Sequence, residues 1–261
     1  MPSDQTVEID APPPPPVLRP ITEDTIKTAL RQGFADFKAA PAYGLFFGAV
    51  YFLGGILMWA LASYTGHAFY LILAAFAFPL IGPFAAIGLY EVSRRLQEGE
   101  KLDWGGVLGV VLAQKDRQIP FLGAVIVFMV MVWVLLSRIT VALFLGTGRV
   151  QNLFSSMDAL FTMNGLLTLF AIAAVGAAVA FLIFSISVIG MPMLLDRDMD
   201  FVTAMITSFE VVTENLRPML MWAGIVVVFL VVGMLPAFLG LLVVLPILGH
   251  ATWHIYKAAV E

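Results

Sequence analysis

His250 and His254 stand four residues apart, so on a helix both imidazoles share one face. That spacing suits a metal ion or the edge of a haem. Trp253 and Tyr256 flank the pair, and the same four residues also suit an interfacial belt, where amphipathic rings sit at headgroup depth. The chain has no cysteine and only three histidines, the third being His67. The pair therefore lacks the company a metal centre needs, and neither a metal nor another cofactor is expected. Met129/Met131, Met191/Met193 and Met219/Met221 carry thioethers, which favour Cu(I). Residues two apart do not face each other on a helix, and methionine is an ordinary apolar filler. Asp196, Asp198 and Asp200 alternate and could offer oxygens to Mg²⁺ or Ca²⁺, but the stretch lacks the glycine and distal glutamate of a calcium-binding loop. A solvated loop with Asp200 as a helix cap is expected instead. Glu91 is spaced to pair with Arg94 and Arg95, and the two arginines suit anionic lipid headgroups. Arg138 falls near a span end, from which it can snorkel to the interface. No nucleotide loop, serine triad or pair of catalytic carboxylates is present, so no catalytic residue is assigned and an enzyme is not expected.

The remaining candidates are backbone breaks. Pro79, Gly82 and Pro83 should loosen one apolar stretch, and Pro246 and Gly249 another, close to His250 and His254. Carbonyls freed at paired breaks bind ligands in some transporters. The alternative is that proline kinks and glycine crossings only improve packing. These seven residues are the candidate ligand-lining or structural set.

What positions them is a membrane architecture. Of 261 residues, 61% are hydrophobic and 12% charged, and mean hydropathy is +0.95. Soluble domains carry about 25% charged residues. A net charge of -4 without a basic run excludes a nucleic-acid partner. A spanning helix needs about 20 apolar residues, and six stretches qualify: 43–63, 68–90, 120–141, 166–190, 218–235 and 237–255. Of the 14 lysines and arginines, all but Arg138 and Arg149 fall on the side of the N-terminus. The positive-inside rule then places both termini in the cytoplasm. Residues 1–20 form a proline-rich tail, with Pro12 to Pro16 extended and no cleaved leader expected. Residues 21–261 form one membrane domain.

Each pair of spans follows an amphipathic stretch that should lie in the interface. The first has Thr22 as N-cap, Ile21 and Ile26 as a hydrophobic staple, and a face of Ile26, Ala29, Leu30, Phe34 and Phe37. Asp103 caps the second, with Trp104, Val107, Leu108 and Val111; Asp200 caps the third, with Phe201, Ala204, Met205, Ser208, Phe209 and Val212. Each ends at a proline that opens a span: Pro41, Pro120 and Pro218. Phe78-Pro79-Leu80-Ile81-Gly82 parallels Leu245-Pro246-Ile247-Leu248-Gly249. The fold expected is all-α: six transmembrane helices and three interfacial helices, in three repeats over about 21–98, 103–197 and 200–261.

Five segments carry a resemblance: Leu18 to Thr22, Ala42 to Tyr51, Phe78 to Arg94, Pro192 to Arg197 and Leu248 to His254. In these the chain resembles a bacterial family of integral membrane proteins carried as a domain of unknown function. The resemblance implies an inner-membrane location and little about activity. Some members are labelled cytochrome c oxidase subunit I. That role needs six histidine ligands, and this chain's three argue against carrying it over.

The central thirds of the six spans hold no Asp, Glu, Lys or Arg, although proton- and sodium-coupled transporters usually keep one. A non-catalytic binding, scaffold or assembly protein is therefore expected, touching anionic headgroups and a membrane-protein partner. A transporter or channel for a small or apolar solute through the repeat interface is the alternative.

Overall fold

The computed structural model describes residues 17–65, 69–146, 162–236 and 238–260, with backbone alone over 69–81. The Pro12–Pro16 arm, His67, and the connection around Arg149 lie outside the described residues. Among the described residues there are ten α-helices: α1 Glu23–Ala39, α2 Pro41–Thr65, α3 Phe69–Glu98, α4 Trp104–Ala113, α5 Ile119–Leu145, α6 Met163–Ser187, α7 Gly190–Asp196, α8 Phe201–Glu214, α9 Leu216–Met234 and α10 Leu241–Ala259. The chain is all-helical. Four segments are long and apolar enough to cross a membrane: α2, α5, Met163–Asp196 and α9.

The helix starts follow local chemistry. The Thr22 hydroxyl accepts from Thr25 N, and the Thr25 hydroxyl accepts from Thr22 N in return, a capping box with threonine in place of the usual Glu or Gln. Ile21 and Ile26 are both buried, as a staple requires. Asp103 accepts from Gly106 N, and Asp200 from Thr203 N. Hydrogen bonds from the Thr203 hydroxyl and amide hold the Asp200 carboxyl below its ordinary range. Between α6 and α7, Ser208 donates to Ser185 O at 2.7 Å and accepts from Ile189 N at 3.2 Å, stitching the break.

α2 pairs with α3, α5 with α6, and α9 with α10 as hairpins. The three short helices α1, α4 and α8 gather at one end, the terminal face. There α4 rests on α3, α8 on α6 and α7, and α1 on α10. Leu18 bridges to Val260, and Asn215 Oδ1 accepts from Ile21 N at 2.7 Å. The core sits at this end: Ile26, Val92, Ile189, Met193, Val212, Trp222, Trp253 and Tyr256 are among its fully buried members. The outer halves of α2, α5 and α6 bury almost nothing, and their apolar side chains face outward.

Two expectations change here. The apolar face of α1 is only partly free for lipid: Ile26, Ala29 and Gly33 are buried against α10, whereas Phe34 is 45% exposed beneath Lys38 Nζ. Pro79 and Pro83 do not interrupt α3, which runs unbroken from Phe69 to Glu98, and Pro246 lies inside an unbroken α10. Neighbouring helices support the groups that a membrane proline frees. Leu242, whose carbonyl has no amide at Pro246 to receive, is met by Gly48 of α2, where a Cβ would lie 3.0 Å from that oxygen.

Candidate functional site

His250 and His254 do share a face of α10, and it turns toward α1 and α3. Gly33 makes the approach possible: a Cβ there would stand 2.5 Å from Ala251 N and 2.7 Å from Ile247 O. Backbone therefore touches backbone, and Asp36, one turn further along α1, reaches over α10. From α3 comes Ser93, fully buried, as is His250.

The four side chains form one hydrogen-bonded chain. Ser93 Oγ lies 2.7 Å from Asp36 Oδ2 and 2.8 Å from His250 Nδ1. His254 Nε2 lies 2.8 Å from the same Asp36 oxygen. Serine has one proton, and the carboxylate can only accept. Ser93 therefore donates to Asp36 and accepts from His250 Nδ1–H, while His254 Nε2–H donates to Asp36. His250 Nε2 is then a buried acceptor, and it has no partner. His254 lines a polar depression of about 340 Å³ whose wall includes Thr22, Thr25, Thr28 and Gln32 of α1.

Chemically this set joins three helices. Ser93 is 0% exposed, and its proton points at a carboxylate. The histidine nitrogens that reach other groups are directed at Ser93 and Asp36. Among the described residues no three His, Asp or Glu converge as metal ligands would. Asp36 and Ser93 are absent from the sequence-derived set, because they come from helices far away in the chain. The available signal was an aspartate on the buried side of α1, in register with Ile26, Ala29 and Gly33.

A second cluster closes the joint between α3 and α4. Glu91, 1% exposed, accepts from Arg94 Nε at 2.9 Å and from Arg95 Nε at 2.6 Å. Arg94 also pairs with Glu98 and Glu100, and Arg95 donates to Lys101 O at 3.0 Å. The Glu91 carboxylate, with those of Glu100 and Glu98, raises the Arg94 pKa, and Arg94 in turn lowers that of Glu100. These two guanidinium groups are thus engaged by carboxylates.

The alternating aspartates go three separate ways. Asp196 accepts from Tyr256 Oη at 2.6 Å and from Lys257 at 3.2 Å; Asp198 pairs with Arg117 at 2.8 Å; Asp200 caps α8. Burial, then the Asp196 carboxylate, raises the Tyr256 pKa. The matched breaks also part company. Gly82 O accepts from Tyr51 Oη at 2.5 Å, while Gly249 abuts Leu89. Tyr51 and Gly249 border one cavity of about 170 Å³, walled by Leu89, Val226, Leu230 and Leu245. Pro246 packs beside Gly44 and Gly48, and the Pro79 side chain lies outside the described ones.

Residues 70–196 match a family model described as a predicted integral membrane protein (DUF2189). The match spans a little under half of the chain, from the start of α3 to the end of α7. The segments Phe78–Arg94 and Pro192–Arg197 fall inside it; Leu18–Thr22, Ala42–Tyr51 and Leu248–His254 fall outside. No curated protein and no solved structure matches the chain. With its apolar helices, this makes the protein an integral membrane protein.

Proposed function

We propose that the protein is a non-catalytic membrane scaffold that holds a membrane-protein partner against the outer halves of its helices. The observation behind this reading is the division of the molecule. Asp36, Ser93, His250 and His254 are turned on one another at the terminal face, and the cavity between the hairpins is walled mainly by aliphatic side chains. Three units of short helix and hairpin, about 21–98, 103–197 and 200–261, insert six helices from one face. The side holding twelve of the 14 lysines and arginines is the cytoplasmic side of a bacterial inner membrane. Basic residues on that face meet anionic headgroups.

A photoreactive residue at Leu135 or Phe170, both exposed on α5 and α6, should cross-link one protein at fixed stoichiometry in the native membrane. Cross-links to lipid alone would remove the scaffold reading. A second reading, passage of a small apolar solute, is favoured by the cavity beside Tyr51 and Gly249. There Val226→Trp should abolish solute flux in vesicles while leaving the cross-link intact.

A further inference from the structure

The third hairpin differs from the other two in reach and in the chemistry of its tip. At the terminal face, Gly249 abuts Leu89, and His250 bonds Ser93. From that level α3 runs outward to Phe69, about 30 Å at 1.5 Å per residue. α10 runs outward only to Leu241, about 13 Å. The comparison with α2 agrees: Gly48 lies against Leu242, and α2 continues past that level for about 25 Å to Thr65. The hydrocarbon core is about 30 Å thick. α9, though long and apolar enough to cross, has its inner part in the same terminal core: Asn215 accepts from Ile21 N, and Met219 and Trp222 are buried.

The tip has no polar side chain. Residues 233–243 read Gly-Met-Leu-Pro-Ala-Phe-Leu-Gly-Leu-Leu-Val. Leu235 is 78% exposed, and Phe238 and Leu239 are each more than half exposed. By contrast, the last three residues of α2 and the two that follow read Ser-Tyr-Thr-Gly-His, and the stretch joining α5 to α6 carries Arg149, Gln151, Asn152 and Asp158. Among the described residues of the third tip, Leu235 N donates to Val232 O, Phe238 N to Met234 O, Leu239 N to Pro236 O, and Leu241 N to Phe238 O. Pro236 has no amide to satisfy. Gly240 lies so close to Gly233 that a Cβ would come within 2.7 Å of its Cα, so the turn is tight. This is what a turn surrounded by hydrocarbon requires.

We infer that α9–α10 is a re-entrant hairpin that enters the bilayer from the terminal face and returns to it, with Leu235, Phe238 and Leu239 packed among acyl chains near the membrane middle. The inference rests on the three-hairpin reading above, and it makes four complete crossings rather than six. Both termini stay on one side either way.

The chain has no cysteine, so single thiols can be placed at Leu235 and Leu239, with Tyr64→Cys and Lys101→Cys as controls. The full chain is reconstituted in phosphatidylcholine–phosphatidylglycerol vesicles. The controls should react with an impermeant maleimide from opposite faces. Leu235→Cys and Leu239→Cys should resist it from both faces yet react with a permeant one. Nitroxides attached there should be open to oxygen and closed to an aqueous nickel chelate. Labelling of Leu235→Cys from the Tyr64 side, at the rate of Tyr64→Cys, would establish a full crossing and overturn the inference. So would strong spin–spin coupling between copies without oxygen access, which would mean a second copy covers the tip. Controls reacting from the same face would instead refute the three-hairpin reading.

Discussion

At Gly33, Gly249 and Gly82 an added methyl group would meet different things. At Gly33 it would press on the α10 backbone, which cannot rotate away, at 2.5 Å. At Gly249 it would meet the end of the Leu89 side chain at 2.6 Å, and at Gly82 only the Tyr51 hydroxyl at 3.4 Å. Overpacking costs about 1–3 kcal/mol, whereas alanine gains about 1 kcal/mol over glycine inside a helix. Gly33→Ala should therefore lower thermal stability in detergent most, Gly249→Ala less, and Gly82→Ala should leave it level or slightly raised. A Gly82→Ala loss equal to that of Gly33→Ala would refute the α1–α10 crossing. Ser93 gives a second test, because its hydroxyl serves two partners. Ser93→Ala orphans His250 Nδ1 and takes one donor from Asp36. A buried group left unpaired costs about 1–3 kcal/mol, so unfolding in detergent should shift by that amount. An unchanged midpoint would mean that the four groups do not act as a chain.

At the scale of elements, α1 is held by the face it turns to α10. Ile26 is fully buried there, and Phe34 is 45% exposed. Ile26→Asp should free α1 and open residues 22–39 to protease in vesicles, while Phe34→Asp should leave the segment protected. Equal cleavage of the two variants would return α1 to the bilayer surface. The contrast marks what the sequence could disclose. Thr22, Asp103 and Asp200 were readable as caps because a cap involves neighbours within three residues. The starts of α2, α5 and α9 at or near prolines were readable for the same reason. Amphipathicity correctly marked Ile26 and Ala29 as facing something apolar, but a pattern on one helix cannot distinguish a lipid tail from another helix. The partner, α10, lies more than 200 residues away. The site was half legible for a similar reason: His250 and His254 are four apart on one helix, but Asp36 and Ser93 reach them only through the tertiary fold. Arg94 and Arg95 were correctly spaced for Glu91, yet burial of that carboxylate, which binds both arginines to it, is a property of the packed joint.

At the scale of the whole molecule, the short helices pass contact around the terminal face. α4 lies on α3 and α8 on α6 and α7, so each rests on the hairpin preceding it in the chain; α1 has no predecessor and rests on α10. The first and last segments are thereby neighbours, and the chain closes on itself. The closure is visible at its ends: Leu18 bridges Val260 in antiparallel register, with Arg19 N donating to Ala259 O at 2.8 Å. That bond makes Leu18 and Val260 a non-hydrogen-bonded pair, whose Cα atoms stand about 4.5 Å apart. Disulfides accept Cα separations of about 4.4–6.8 Å, so Leu18→Cys with Val260→Cys should oxidise cleanly in this cysteine-free chain. A disulfide joining nearly the whole chain typically contributes about 2–4 kcal/mol. Val260 is 4% exposed, and trimming it to cysteine offsets part of that gain. A net rise of about 1–3 kcal/mol in stability is expected, seen as a faster-migrating monomer on a non-reducing gel and a higher melting temperature that reductant reverses. If the pair stays reduced under oxidant, the ends do not meet. If it forms without any gain, closure is incidental, and the stability of the terminal face resides in the separate hairpins.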